Sequence, residues 1–172
     1  MRNAAIVTGV VLLASVVARL LVPSVSLYLE PYAVVKQWHL WQLFTWLVCG
    51  ASLTFLAHAP LIGFALARGV KPLAWLGPTF IAGGLTTLLG EIVPAVFSCT
   101  FTGAGVGATS ALLGWAALQQ GKRRAAATLA ALLPAGLDAL VDGLYVLVPF
   151  GFAFIAAALW VRWSRRRSHQ PS

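Results

Sequence analysis

The stretch GAGVGATSALLG at residues 103–114 places small residues at a helical spacing within an apolar chain. Gly103, Gly107 and Ala111 recur at every fourth position, so they lie on one face of a helix. Because that face carries no large side chains, the backbones of neighbouring helices can approach it closely inside a membrane. The pattern therefore predicts a packing helix at the centre of a helical bundle.

The composition of the whole chain indicates that this bundle lies in a lipid bilayer. Among its 172 residues, 60% are hydrophobic and 9% are charged, whereas soluble domains carry roughly 25% charged residues. A soluble fold of this size would have too little polar surface to cover its core. We therefore expect an all-α polytopic membrane protein in which residues 1–172 form a single transmembrane domain, without a separate soluble domain.

Apolar runs of membrane-spanning length divide the chain into helices. The first run is interpreted as a retained helix rather than a signal peptide, because it spans about 19 residues and lacks a clear A-x-A exit. The last run, at 125–161, is too long for one crossing of a core about 30 Å thick, and basic clusters flank both of its ends. It is therefore expected to cross twice, with a hairpin turn within 134–143. The six predicted helices lie roughly at residues 4–23, 43–66, 73–97, 103–119, 125–137 and 140–161.

The net charge of +8 is placed at the ends of these runs. In a six-helix arrangement most of the basic residues fall on one side of the membrane. They are Arg68, Lys71, the cluster at 122–124 and those of the tail at 162–172. Because basic residues mark cytoplasmic loops, we expect both termini in the cytoplasm, a basic cytoplasmic tail at 162–172, and a bacterial inner (plasma) membrane. The same placement argues against nucleic-acid binding, which needs a basic patch on a folded polar surface.

Aromatic residues are spaced along the longest polar-tolerant stretch of the sequence, from Tyr28 and Tyr32 to Trp38 and Trp41. Such residues are typical of the membrane–water interface. We therefore expect this segment to lie at the level of the lipid headgroups, with Trp41 as one of its binding or packing residues.

Few ionisable residues fall within the predicted bundle. Glu91 and Arg19 are both predicted in its outer half, and such groups need a partner inside a membrane. Either the two side chains form an ion pair, or Glu91 bonds to the outer loops. Asp138 and Asp142 are expected at an outer turn, where Asp is common, and His58 is interpreted as a packing residue of the second helix.

Motifs for metals and cofactors are missing from the sequence. The three histidines are not spaced as metal ligands on one helix face, and no phosphate loop, nucleotide fingerprint or haem-attachment motif occurs. We therefore predict neither a metal nor a cofactor. Cys49 and Cys99 both fall toward the outer side, and two separate thiols are favoured over a disulfide between them.

The chain resembles the rhomboid family of intramembrane serine proteases in three segments and in their order along the sequence. The segments are WQLFTW at 41–46, WLGPTF at 75–80 and GATSALLG at 107–114. The first is similar to the tryptophan-arginine segment of that family, with Gln42 in the arginine's place. The second is similar to its Leu-Gly-x-x-x-Phe entry to the third helix, and the third to its Gly-x-Ser-Gly-Ala-x-x-Gly motif. The resemblance covers about residues 28–159 and implies a six-helix rhomboid-like bundle.

The nucleophile position of the family is altered in this chain. In rhomboids a serine of the glycine motif attacks the substrate after a histidine of the sixth helix activates it. The serine position corresponds to Thr109, whereas Ser110 is one residue along and rotated by about 100° around the helix.

The partners of that nucleophile are altered as well. The family histidine corresponds to Asp142 if residues 136–138 match the family's Gly-x-Asp, and to Val146 if residues 141–142 provide the match. No histidine occurs in the fifth or sixth predicted helix, so the base that activates a hydroxyl is missing. The family asparagine that contributes to the oxyanion site corresponds to Ala59.

The resemblance and the altered positions together imply a catalytically inactive rhomboid-like protein. Inactive members of the family act in trafficking, quality control and membrane complexes. The implied function is therefore binding the transmembrane segment of a client, or service as a subunit of a larger membrane complex. The alternative is a divergent intramembrane serine or threonine protease that uses Thr109 or Ser110, and we favour the protein that is not an enzyme.

Overall fold

The computed structural model describes residues 28–46, 52–93, 96 and 99–168, together with four single positions of the first apolar run. The predicted helix at 4–23, with Arg19, otherwise lies outside the described residues. Within them the regular secondary structure is helical, and one isolated antiparallel bridge joins Leu29 and Phe101. The elements are α1 (Pro31–Lys36), α2 (Gln42–Thr45), α3 (Ser52–Ala67), α4 (Pro72–Ile92), α5 (Gly103–Ala117), α6 (Gly121–Ala130), α7 (Leu133–Asp142), a 3-10 turn (Leu144–Val146) and α8 (Leu147–Ser168).

Three helical segments are long and apolar enough to cross a bilayer: Pro72–Ile92, Gly121–Asp142 and Leu144–Trp163. The chain is therefore an all-helical protein with segments suited to a membrane, as its composition predicts. The apolar part of α3, Ala57–Ala67, is shorter. Helix α5 has 15 residues, which corresponds to about 22 Å. Six crossings, and the rhomboid-like bundle that they would form, stay predictions.

The hairpin of the last apolar run lies at the end of the predicted interval. Pro134 occupies the first turn of α7, where proline is tolerated because the first amide of a helix has no partner inside the helix. The helix therefore continues to Asp142 and ends at Gly143, whose φ of +95° favours glycine. The fifth predicted helix, expected at 125–137, instead corresponds to a span over 121–142 with a break at 131–132.

Helix α5 lies at the centre of the described structure. Eleven of its 15 residues are buried, and helices α3, α4, α6, α7 and α8 all pack against it. Ala111 belongs to a core cluster that α5 shares with α3, where Ala59 and Ile62 are buried. The close packing of so many elements on one helix follows from its small side chains.

Two tryptophans occupy the space that glycines leave between helices. The indole of Trp46 lies against Gly83 of α4, and the carbonyl of Trp46 lies against Gly103, so a Cβ at either glycine would overlap with it. A Cβ at Gly107 would lie 2.5 Å from the indole Nε1 of Trp75. The glycines therefore determine how closely the aromatic residues approach α4 and α5.

Charge is separated along the bundle axis. Three segments lie together at one end, because a residue from each lines the same groove. They are the α3–α4 link with Val70, the α5–α6 link with Leu118, and the C-terminal part of α8 with Val161. We call this side the basic end. Its basic residues whose side chains are described are Arg68, Lys71, Lys122, Arg123, Arg124 and Arg162. The four acidic residues of the chain lie elsewhere: Glu91 ends α4 and Asp142 ends α7, both at the opposite end, Glu30 precedes α1, and Asp138 lies inside the bundle.

We predict that Gly103→Ala destabilises the bundle, because the new Cβ would overlap with the backbone carbonyl of Trp46, which cannot rotate away as a side chain can. Overpacking of this kind costs about 1–3 kcal/mol. Thermal unfolding in detergent, followed by circular dichroism, measures the loss. Gly84→Ala is the matched control, since a Cβ there meets nothing within 4 Å and alanine favours a helix by about 1 kcal/mol. Equal melting temperatures for the two variants would contradict the packing described for α5.

Candidate functional site

A histidine and an aspartate from distant parts of the sequence meet inside the bundle. His58 lies on α3 and Asp138 on α7, and the ring Nε2 of the histidine is 2.7 Å from Oδ1 of the aspartate. Each residue is 1% exposed. Buried ionisable groups inside a membrane protein are costly and commonly functional, so this pair is the candidate functional site.

The sequence of α5 creates the space for the pair. A Cβ at Gly105 would overlap with Oδ2 of Asp138, and it would also lie 2.8 Å from the ring of Phe150 on α8. Glycine at this position therefore lets the carboxylate lie directly against the α5 backbone. His58 approaches from the other side, next to Ala59, which is fully buried in the core between α3 and α5.

The contact between the two side chains uses the ring Nε2 of His58. Where Asp138 is a carboxylate it can only accept, and Nε2 then carries the proton and donates it to Oδ1, 2.7 Å away. Among the described residues, Nδ1 of His58 is buried and has no hydrogen-bond partner. The pair thus contains one hydrogen-bonding atom that the rest of the described chain does not satisfy.

His58 also lines a groove between α3 and α7, which we call the α3–α7 groove. Its volume is about 510 Å³. A Cβ at Gly136 would meet nothing within 4 Å, so the groove is open along this part of α7. The lining residues are Ala57, His58, Leu61, Leu132, Leu133, Pro134, Gly136, Leu137 and Leu140. Apart from the imidazole, every lining side chain is apolar or absent.

The two hydroxyls expected at the family's nucleophile position form other bonds. Thr109 Oγ1 donates to the backbone carbonyl of Ala131, 2.9 Å away. Ser110 Oγ lies 3.4 Å from Oγ1 of Thr79, which itself donates to a carbonyl one turn earlier in α4. Both hydroxyls are buried. Within the described part of the chain, neither forms a hydrogen bond with the His58–Asp138 pair.

The interpretation of Asp138 as a turn residue is wrong. It lies one turn before the end of α7 and its side chain is buried, because the helix continues to residue 142 instead of ending near 137. The interpretation of His58 as a packing residue omitted its partner. The signal for the pair was present, since a histidine inside one apolar run and an aspartate inside another each need a polar partner in a membrane.

The remaining family positions are also placed. Asp142 ends α7, and Val146 ends the 3-10 turn just before α8, so neither of the two positions predicted for the family histidine lies in the last helix. Val146 is buried and apolar. Ala59 is the immediate neighbour of His58, and its methyl group belongs to the core.

The residues predicted near the outer side are distributed over the surface. Glu91 forms an ion pair with Lys36, and 3.5 Å separates Oε1 of Glu91 from Nζ of Lys36. The Lys36 side chain is 51% exposed and the Glu91 side chain 39%. Exposed pairs of this kind contribute at most about 1 kcal/mol. The alternative partner, Arg19, lies outside the described residues. Trp41 stacks on the ring of His39, with 4.3 Å between the centroids.

The thiols and the potential metal ligands complete the predicted sites. Burial raises the pKa of the Cys99 thiol above its ordinary value, which lowers the fraction of reactive thiolate at neutral pH. Cys49 lies outside the described residues, so the two-thiol interpretation stays a prediction. No group of three His, Cys, Asp or Glu side chains that could hold a metal occurs in the described ranges.

The chain was compared with protein-family models, curated proteins and solved structures. None of them matches. The chemistry of the pair is therefore the basis for a function. An aspartate that accepts from an imidazole, next to an apolar groove, can join two helices and present one further hydrogen-bonding atom. Thr109 and Ser110, the hydroxyls predicted at the nucleophile position, form no hydrogen bond with it in the described part of the chain.

We predict that His58 and Asp138 stabilise the bundle as a coupled unit. Asp138→Ala or His58→Ala leaves one buried polar group without its partner, and the loss is expected to be about 3–5 kcal/mol for either change. The double variant should lose little more than one single variant, because neither polar group then remains. A double-mutant cycle on unfolding in detergent measures this coupling. Strictly additive losses would show that the two side chains act independently.

Proposed function

We propose that this protein is a non-cleaving, rhomboid-like membrane protein that binds the transmembrane segment of a client or of a neighbouring subunit in the α3–α7 groove. The observation that carries the proposal is that His58, whose Nδ1 has no hydrogen-bond partner among the described residues, lines an otherwise apolar groove. A polar atom buried without a partner costs about 1–3 kcal/mol. A bound segment that supplies a hydroxyl or amide group would recover that cost.

The groove has the chemistry that a transmembrane helix requires. Its leucines on α3 and α7 offer an apolar surface, and Gly136 and Ala57 allow the backbone of a second helix to approach. Interhelical hydrogen bonds in membranes contribute about 1–2 kcal/mol in model peptides. A partner helix with one polar residue among apolar ones would therefore be preferred over a purely apolar helix.

The arrangement of the hydroxyls supports binding without cleavage. A nucleophile needs a base within hydrogen-bonding reach, about 2.6–3.2 Å. Thr109 donates to a backbone carbonyl, and Ser110 has Thr79 as its neighbour. His58 Nδ1, the ring atom that could act as a base because Nε2 is bonded to Asp138, forms no hydrogen bond with Thr109 or Ser110. A divergent protease would have to bring one of these hydroxyls to that atom before it could act.

We further propose a location in a bacterial plasma membrane with the basic end in the cytoplasm. Six basic residues at one end, with the acidic residues elsewhere, follow the distribution that orients membrane proteins. Both termini would then lie in the cytoplasm. Labelling of single cysteines in the 118–120 and 68–71 links with an impermeant reagent, on cells and on inverted vesicles, measures this orientation.

We predict that a photo-crosslinking amino acid at Leu137, which lines the groove, captures a discrete membrane protein in cells. The same amino acid at Leu88 is the matched control, because that side chain is exposed on α4 and lines no described groove. Gly136→Leu should fill the groove without a clash and lower the yield of the Leu137 adduct at least about fivefold, equivalent to about 1 kcal/mol. Protein adducts of equal yield at both positions would overturn the proposal.

We also predict that the purified protein is not labelled by a fluorophosphonate at Thr109 or Ser110, since neither hydroxyl forms a hydrogen bond with a base among the described residues. Thr109→Ala and Ser110→Ala serve as paired controls for any background. Labelling that disappears in one variant and persists in the other would identify a nucleophile. In that case the chain would be a divergent intramembrane protease.

A further inference from the structure

A second groove opens at the basic end of the bundle, away from the His58–Asp138 pair. It lies between the start of α4, the end of α5 and the end of α8, and its volume is about 420 Å³. We call it the basic-end groove. Its lining residues are Gly69, Val70, Lys71, Leu73, Ala74, Gly114, Ala117, Leu118, Trp160 and Val161. Its walls are apolar except at Lys71.

The charge around this groove is of one sign. Lys71 is exposed and forms no ion pair with any described residue. Arg68 is next to the same link, and its guanidinium lies over the ring of Phe64, 4.9 Å from the centroid. Further basic residues begin α6 and follow Val161 in α8, whereas none of the four acidic residues of the chain belongs to this end. An anion at the mouth of the groove would therefore meet attraction without a competing carboxylate.

We propose that the basic-end groove binds an anionic phospholipid, with its phosphate at Lys71 and an acyl chain along the apolar wall. Each Lys or Arg near a membrane surface contributes about 1 kcal/mol to the attraction of anionic lipid. The apolar wall of Leu73 and Leu118 suits a hydrocarbon chain, which a free phosphate ion lacks. Trp160 supplies an indole at the depth where tryptophan favours the interface. This site is independent of the proposed binding of a client helix.

The test uses the full chain, purified in detergent, and native mass spectrometry with phosphatidylglycerol and phosphatidylcholine that carry identical acyl chains. Because a charge at the surface contributes about 1 kcal/mol, phosphatidylglycerol is expected to bind at least about fivefold more tightly than phosphatidylcholine. Lys71→Gln should remove most of that preference. Arg123→Gln is the matched control, since it removes one exposed positive charge from the same end without altering the groove.

Two further measurements separate the parts of the site. Leu118→Trp, which places a larger side chain in the groove, should weaken the binding of both lipids. Glycerol phosphate, which has the headgroup charge but no acyl chain, should not compete with phosphatidylglycerol.

Three results would overturn the proposal. The wild-type chain could bind the two lipids equally, which would show that the charge selects no headgroup. Arg123→Gln could reduce the preference as much as Lys71→Gln, which would show a diffuse surface effect. Glycerol phosphate could displace the lipid, which would show that the apolar wall takes no part.

Discussion

Helix α5 presents its backbone, rather than side chains, to its neighbours on two opposite faces. Gly103 and Gly107 lie on one face, against the carbonyl of Trp46 and the indole of Trp75. Gly105 is about 200° away around the helix, and there it accommodates the carboxylate of Asp138. Lipid chains are as apolar as leucine, so helices in a membrane gain stability mainly from close packing and hydrogen bonds. The fold and the His58–Asp138 pair therefore depend on the same small residues.

The sequence predicted one of these two faces. A repeat of small residues at every fourth position reveals a packing stripe, and Gly103, Gly107 and Ala111 form such a stripe. Gly105 is not part of this stripe. Its role is to leave space for the side chain of Asp138, which belongs to α7. The all-helical class followed from the scarcity of charge, which no tertiary contact alters. The family resemblance and the six crossings remain expectations, because neither the lengths of the helices nor the comparisons test them.

The location of the hairpin and the partner of His58 were harder to predict for physical reasons. Pro134 and Gly143 are both turn residues by composition, but a proline in the first turn of a helix continues it, whereas a glycine with positive φ ends it. The turn therefore lies at Gly143 instead of near Pro134, and Asp138 lies within a helix with its side chain buried. His58 and Asp138 are 80 residues apart, so no local periodicity relates them.

Three contacts of buried polar side chains each join a different pair of elements. Thr109 connects α5 to the break between α6 and α7, Ser110 lies beside Thr79 of α4, and the His58–Asp138 pair connects α3 to α7. Among the described contacts, Thr109 and Ser110 thereby bond to groups other than the imidazole of His58. These polar contacts hold helices in register. Among the described residues, His58 Nδ1 is one of five buried side-chain polar atoms without a hydrogen-bond partner, and His58 lines a groove.

The single residue between two candidate spans has a consequence for the order in which the buried pair is made. The segments Gly121–Asp142 and Leu144–Trp163 are separated by Gly143 alone, so they form one tight helical hairpin, and Asp138 lies one turn before its bend. Because chains are synthesised from the N-terminus, His58 is made 80 residues before Asp138. The partner of the buried aspartate is therefore already synthesised when the hairpin is made.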